Sequence, residues 1–267
     1  MTTTLTAAGP ATTHLQDTLD AYWTGRAADY HAHQTTGARA AFDQDLWTAV
    51  FTRALAPVTA ARATTGGPLD ILDVGTGSGY LAWLLAESGH RVTGIDTANG
   101  MLAAAATAHD ADPAAHFAGY QSPTFLHGDA HAPSADLGPV DAIVSRYVLW
   151  TLADPVTALT AWADLLSPGG IIAAVDATWY PHGLDEDLQV PSADGPDAFV
   201  NTYRHTIDRL PLSTAADHRA YTAAFHDAGL ADITCTPLPQ VTALDRMFGV
   251  APGHESRPHF LVTGRRS

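Results

Sequence analysis

Apolar residues recur at helical spacing along the first quarter of the chain. Leu15, Leu19, Tyr22 and Trp23 form one such set, and Phe42, Leu46, Val50 and Leu55 form a second that stops near Pro57. Residues 14–63 are therefore predicted to be helical, behind a loose tail of about a dozen Thr- and Ala-rich residues. Thr64–Pro68 is a Thr/Gly/Pro linker. The period then changes. A short apolar run at 69–74 leads into a glycine cluster, followed by a helix over Tyr80–Ser88 and a strand over Arg91–Asp96. Next come a nearly all-Ala helix over Asn99–His109, a strand at Thr124–Leu126 and a buried-type strand at Val140–Ser145. A helix over Pro155–Leu166 stops at Ser167-Pro168-Gly169-Gly170, and Ile171–Asp176 is a fifth strand. Strand alternating with helix predicts a parallel sheet covered on both faces.

Residues 177–214 break this rhythm with aromatic, acidic, His and Pro residues of little period. A break of about 40 residues exceeds ordinary connections. It reads as a substrate-facing insertion with a helix near Ala198–Arg209. The rhythm resumes with a helix near Ala216–Ala228 and strands near Ile233–Thr236 and His259–Gly264. The chain thus divides into a helical cap (14–66), a core (67–176), the insertion (177–214) and the return to the core (215–267), within a single domain of 267 residues.

Composition narrows the function. All 13 basic residues are Arg, against 28 acidic ones, for a net charge of −15. Phosphate binding needs a basic face, so no nucleic-acid partner is expected. The N-terminus lacks the basic and apolar regions of a signal peptide, and no apolar window spans a bilayer, so no membrane partner is expected either. One cysteine, Cys235, allows no internal disulfide, which fits a cytoplasmic setting.

The chemistry concentrates in Asp73-Val74-Gly75-Thr76-Gly77-Ser78-Gly79, between a strand and a helix. Glycines there let backbone pass close under a ligand, and the following helix aims its first N–H groups at it. A dinucleotide fingerprint needs a third glycine at position 80, which is Tyr80. A phosphate-binding P-loop needs a lysine, and the chain has none. Asp96 ends the second strand 21 residues after Gly75, where a carboxylate can accept both hydroxyls of a ribose. Gly128-Asp129-Ala130 places another carboxylate after the third strand, in position for an exocyclic adenine amine.

Taken together, ILDVGTGSG (71–79), GID (94–96) with Met101 following, GDA (128–130), VDAIVSRYVLWTLADP (140–155) and LLSPGGIIAAVD (165–176) resemble the class I S-adenosylmethionine-dependent methyltransferases of small molecules. The resemblance covers about residues 20–176, including YWTGRAADY (22–30), which is similar to the N-terminal helix that covers the cofactor in that group. It implies a Rossmann-like, doubly wound α/β sheet, mostly parallel with an antiparallel C-terminal strand. S-adenosyl-L-methionine is the implied cofactor. Its methionine moiety and ribose would lie along Asp73, Gly75, Thr76, Gly77 and Gly79. Asp96 would hold the ribose hydroxyls beside Thr97, Met101 would pack on the adenine, and Asp129 and Ala130 would read its edge. Ser145 and Arg146 would approach the amino group, and Tyr22 and Tyr30 would close over the whole. Trp150 stands where many relatives carry His, which puts a catalytic ring there in doubt.

A sulfonium methyl is already activated, so such an enzyme mainly aligns the acceptor and excludes water. The acceptor is expected beyond residues 145–150 and 176–182, among Tyr147, Trp150, Trp179, Tyr203 and His205. His182, Tyr180 and Asp176 are the candidate catalytic groups, with His182 as base. His31-Ala32-His33 completes no ligand set, and no metal is expected. The expected activity is methyl transfer to N or O of a small molecule in specialised metabolism, by a monomer or homodimer. The alternative is a protein that binds the same cofactor for internal cyclisation or as a non-catalytic sensor.

Overall fold

The computed structural model describes residues 10–62, 66–108, 120–187, 198–250 and 256–267. Two long helices, α1 (Pro10–Thr35) and α2 (Arg39–Arg62), precede the first strand. The sheet and its crossovers are β1 (Asp70–Val74), α3 (Tyr80–Glu87), β2 (Arg91–Asp96), α4 (Asn99–Thr107), β3 (Thr124–His127), β4 (Val140–Arg146), α5 (Pro155–Leu165) and β5 (Leu166–Ala177). Then follow α6 (Leu184–Asp187), α7 (Ala198–Arg204), α8 (Arg219–Asp227), β6 (Ala231–Pro237), α9 (Pro239–Phe248) and β7 (His259–Arg265).

The seven strands lie in the order β3-β2-β1-β4-β5-β7-β6. The first five pair parallel, and β7 enters antiparallel between β5 and β6. The central strands are buried on both faces, as parallel strands flanked by helices must be. Leu72, Val74 and Ile143 turn toward the side that holds Trp162, Phe225 and Tyr203. Ile71, Ala142 and Val144 turn toward α2 and α3, against Phe51, Leu55 and Leu81. The order in which strands are added reverses between β1 and β4, so the loops leaving these two parallel strands open a crevice at their carboxyl ends.

Some boundaries differ from the sequence expectation. Helix α1 starts at Pro10, inside the stretch expected as a loose tail. Helix α2 does not stop at Pro57 but runs to Arg62. Pro57 is exposed, so water can satisfy the carbonyl that loses its partner. The buried face of α2 is also shifted by one position. Asp43, Trp47, Phe51, Ala54, Leu55 and Val58 are buried, whereas Phe42 is 54% exposed and packs its ring on Phe248 at 5.4 Å. Ser167–Gly170 is not a loop but the start of β5, where the register with β4 shifts between Val140 and Ala142. Gly169 absorbs the kink with a φ of 75°. The expected helix over Ala198–Arg209 ends at Arg204 and continues as a 3₁₀ turn, Ile207–Arg209. Helix α9 has no counterpart in the sequence expectation; it opens with Pro239 in its first turn, a position that lacks no bond.

Candidate functional site

The loop leaving β1 is built from left-handed glycines. Gly75, Gly77 and Gly79 have φ values of 66°, 55° and 79°, a region that disfavours any side chain. A Cβ on Gly75 would collide with the side chain of Val148, from the loop after β4. A Cβ on Gly79 would sit 2.8 Å from the Phe125 ring and 2.9 Å from Ala105, so this glycine permits helix–strand packing and is not part of the cleft wall. A Cβ on Gly77 would meet only the Met101 sulfur, at 4.0 Å, and the Gly77 N–H donates to Asp96 Oδ2 at 2.9 Å. Asp96 Oδ1 accepts from Ala98 N at 2.8 Å. The carboxylate therefore fixes the glycine loop while its remaining lone pairs face the cleft. Burial raises its pKa, and the two backbone donors work in the opposite direction.

Asp73 lies beneath the loop and accepts from Thr76 Oγ1 at 2.7 Å. Desolvation pushes its pKa up to about 7. Asp73 and Thr76 line a small recess with Gln34, Leu81 and Arg146, next to the main cleft. Asp129 accepts from His131 N at 2.8 Å; the His131 ring beside it lowers its pKa.

The main cleft, open to solvent, spans about 750 Å³. Gly75, Gly77, Asp96, Thr97, Met101, Asp129 and Ala130 form its floor and one wall. Helix α1 covers it with Gln16, Leu19, Asp20, Trp23 and Tyr30. The cover is tied down at Thr97. Thr97 Oγ1 donates to Asp20 Oδ1 at 2.6 Å, and Gln16 Nε2 donates to the same Asp20 oxygen at 2.7 Å and to Thr97 Oγ1 at 3.2 Å. Thr24 rests on Gly100 of α4, where a Cβ would lie 2.6 Å from the Thr24 carbonyl oxygen. A glycine cradle, a strand-end carboxylate with lone pairs to spare and an apolar Met101 wall together fit an adenosine with a short charged tail.

A second chamber of about 810 Å³ adjoins this cleft. Trp23, Tyr30, Arg146 and Tyr147 form the border and line both spaces. Its own walls are Trp47 of α2, Trp150, Trp179 and His259 of β7. The Tyr147 backbone takes a φ of 65°, a strained conformation for an aromatic residue. That turn lets its ring meet Trp179 edge-on at 5.4 Å and Trp47 at 6.1 Å. Across the mouth, Arg39 holds Asp43 at 2.6 Å and Asp245 at 2.8 Å, joining α2 to α9. Burial lowers the His259 pKa to about 4, and its Nδ1 has no hydrogen-bond partner among the described residues.

The structure brings Tyr30, Gly75, Gly77, Asp96, Thr97, Met101, Asp129, Ala130 and Arg146 together at the main cleft. Ser145 does not reach it: its side chain is fully buried in the sheet, with Oγ unpartnered among the described residues. Tyr22 is turned away, edge-on to Phe199 at 6.0 Å and Tyr203 at 5.9 Å. Among the expected acceptor residues, Tyr147, Trp150 and Trp179 line the second chamber. Tyr203 is core, stacked on Trp150 at 5.0 Å and accepting from Trp23 Nε1 at 3.1 Å. His205 is exposed.

None of the three candidate catalytic groups lines either space. His182 is exposed and lies 3.2 Å from Asp187. Tyr180 is buried in the core, under the Arg257 guanidinium. Asp176 is sealed beneath the chamber, accepting from Trp179 Nε1 at 2.5 Å, Ala177 N at 3.0 Å and Trp150 N at 3.2 Å. Burial pushes its pKa up to about 7 against those donors. Its place makes it an anchor for the two tryptophan walls. Sequence reasoning missed Gln16, Asp20, Trp47, Arg39, Asp245 and His259. The polar Asp43 four residues before Trp47, on one face of a helix, was the available signal.

Residues 72–174 match the family model of the methyltransferase domain. Over 107 residues the chain is 38% identical to the ubiquinone biosynthesis O-methyltransferase of Dinoroseobacter shibae, covering 39% of each protein. The chain spans about two fifths of the length of the first curated relatives it matches. Among solved structures, magnesium protoporphyrin IX methyltransferase from Synechocystis with bound S-adenosylhomocysteine superposes with a TM-score of 0.55 at 16% identity, covering 95% of this chain and all of that one (100%). Phosphoethanolamine N-methyltransferase 2 of Haemonchus contortus, in complex with S-adenosyl-L-methionine, gives 0.58 at 14%, covering 94% and 60%. These two likenesses establish the fold. With the glycine loop and the strand-end Asp96, the family match marks residues 72–174 as a methyltransferase domain, and the cleft fits S-adenosylmethionine as its cofactor.

Proposed function

We propose that the protein transfers a methyl group to N or O of a small molecule in specialised metabolism. One observation carries this reading: the aromatic chamber adjoins the cofactor cleft, with Trp23, Tyr30, Arg146 and Tyr147 lining both. A cofactor user that cyclises its own ligand, or a sensor, has no need of a second chamber there. When bound, S-adenosylmethionine supplies an electrophilic methyl group. The chain's residues hold the ribose end through Asp96, shut out water with α1 and set the acceptor in line between aromatic walls. That positioning is the main source of acceleration for a displacement of this kind.

The cleft's size and the aromatic walls favour a small acceptor over a folded protein, and the acidic chain disfavours nucleic acid. No described helix is long and apolar enough to cross a membrane. The reading is tested by calorimetric titration with S-adenosylmethionine, S-adenosylhomocysteine and NAD, followed by label transfer from methyl-labelled cofactor into a metabolite pool. Binding of the first two with labelled product is the expected result. Binding without any labelled product would favour the sensor. Label-independent release of a cyclic product would favour internal cyclisation.

A further inference from the structure

The charges around the inner chamber are separated. At its outer end Arg39 is fully engaged by Asp43, Asp245 and the Gly249 carbonyl, at 2.6, 2.8 and 2.7 Å. Two carboxylates against one guanidinium leave that end with no charge to offer an anion. At the inner end stands Arg146. Among the described residues it makes no hydrogen bond and no ion pair. Instead its guanidinium carbon lies 5.1 Å from the Trp47 ring centroid, 5.0 Å from Tyr80 and 5.2 Å from Tyr147. The three rings hold the group between them but use none of its five N–H donors. Burial works against its charge, while Tyr30, Tyr147, Tyr80 and Asp43 raise its pKa, so it stays cationic. A guanidinium drawn from water without a hydrogen-bond or ion-pair partner is costly; Asp43 and Asp73 act on it only through space, and Arg146 lines both the cleft and the chamber.

Resting on the methyltransferase reading above, we propose that the acceptor is a flat, conjugated acid, methylated on an ionised oxygen that Arg146 holds at the border of the two spaces. The aromatic walls select the plane, and the bidentate guanidinium selects the anion. A cationic acceptor would meet Arg146 at the inner end, and at the outer one two carboxylates that Arg39 already ties up as ion pairs. In the transfer, an oxygen lone pair forms the bond to the methyl carbon as the methyl–sulfur bond breaks, with sulfur keeping the electron pair. The negative charge of the acceptor and the positive charge of the donor cancel, so no proton has to leave and no base is required.

The test uses three bicyclic probes of one shape, titrated into the whole protein with S-adenosylhomocysteine: 2-naphthoate (anion), 2-naphthalenemethanol (neutral) and 2-naphthylmethylamine (cation). Naphthoate is expected to bind at least about tenfold tighter than the alcohol, with the amine weakest. In Arg146→Gln, titrated at saturating S-adenosylhomocysteine, the anion and alcohol should fall within about threefold of each other. Equal binding of the three probes, a preference for the amine, or no binding up to about 10 mM would overturn the proposal. So would a variant that keeps the anion preference. If wild type failed to bind S-adenosylhomocysteine, the methyltransferase reading would fall instead. The probe series without it would still decide the charge preference.

Discussion

The two spaces are made by different means. The cofactor cleft is made largely of backbone: left-handed glycines after β1, the end of β2 and the turn after β3. Each is a loop at a strand's carboxyl end, and the loops follow one another in the chain. The inner chamber is made of side chains from elements far apart in sequence: Trp47 on α2, Trp179 after β5, Asp245 on α9 and His259 on β7. A ligand common to a whole fold can be held by geometry that recurs in every strand–loop–helix unit. A ligand particular to one protein has to be recognised by side chains brought in from elsewhere.

That contrast can be broken at either space. The largest effect is expected from Arg39→Ala. It leaves Asp43 and Asp245 facing each other without their shared cation, and should cost about 4 kcal/mol of stability. Chemical denaturation measures it, and cofactor affinity in the folded fraction should stay near wild type. A loss below 1 kcal/mol would mean the α2–α9 tie is not what closes the chamber.

Asp96→Ala acts on the other space. It should weaken S-adenosylmethionine binding by about 3 kcal/mol, roughly a hundredfold, with the fold intact by circular dichroism. Wild-type affinity in the folded variant would remove Asp96 from the ribose site.

His259 sharpens the comparison through pH. Its folded pKa is about 4, below the ordinary His value of 6.5. The folded state thus binds the proton more weakly than the unfolded one. Stability from this group is present above pH 6.5 and is lost as pH falls toward 4. Between pH 7 and 5 the loss is about 2 kcal/mol. His259→Gln should lack it, so the melting-temperature difference between variant and wild type should move in the variant's favour as pH drops. A difference independent of pH would show that the ring is not held neutral by burial.

The smallest effect serves as a control. Gly25 sits within α1, and a Cβ there would meet nothing within 4 Å. Gly25→Ala should add about 0.8 kcal/mol of stability and change neither cofactor affinity nor probe preference.

The fold class and the cofactor loops were legible because their determinants are local. Gly75 and Gly77 take a positive φ that glycine adopts whatever surrounds it, and Asp96 is the end of a strand whose apolar pattern is complete within six residues. Boundaries were harder where burial overrode local preference. Pro57 reads as a helix stop, yet the packing of Phe51, Leu55 and Val58 against the sheet carries α2 past it. The acceptor side was least legible. His182, Tyr180 and Asp176 follow the fifth strand as a catalytic group would, but position after a strand does not set direction. Asp176 turns under the chamber, Tyr180 into the core and His182 to solvent.

By itself, then, the sequence determined the strand–helix alternation, the glycine turn and the carboxylate after β2, because each depends on residues within a few positions of one another. Only the tertiary structure decided which aromatic rings line the two spaces and that Arg146 has no hydrogen bond or ion pair among the described residues. Those depend on which surfaces meet when α1, α2, β5 and β7 close on one crevice, and no spacing along a chain encodes a meeting between residues a hundred or more positions apart.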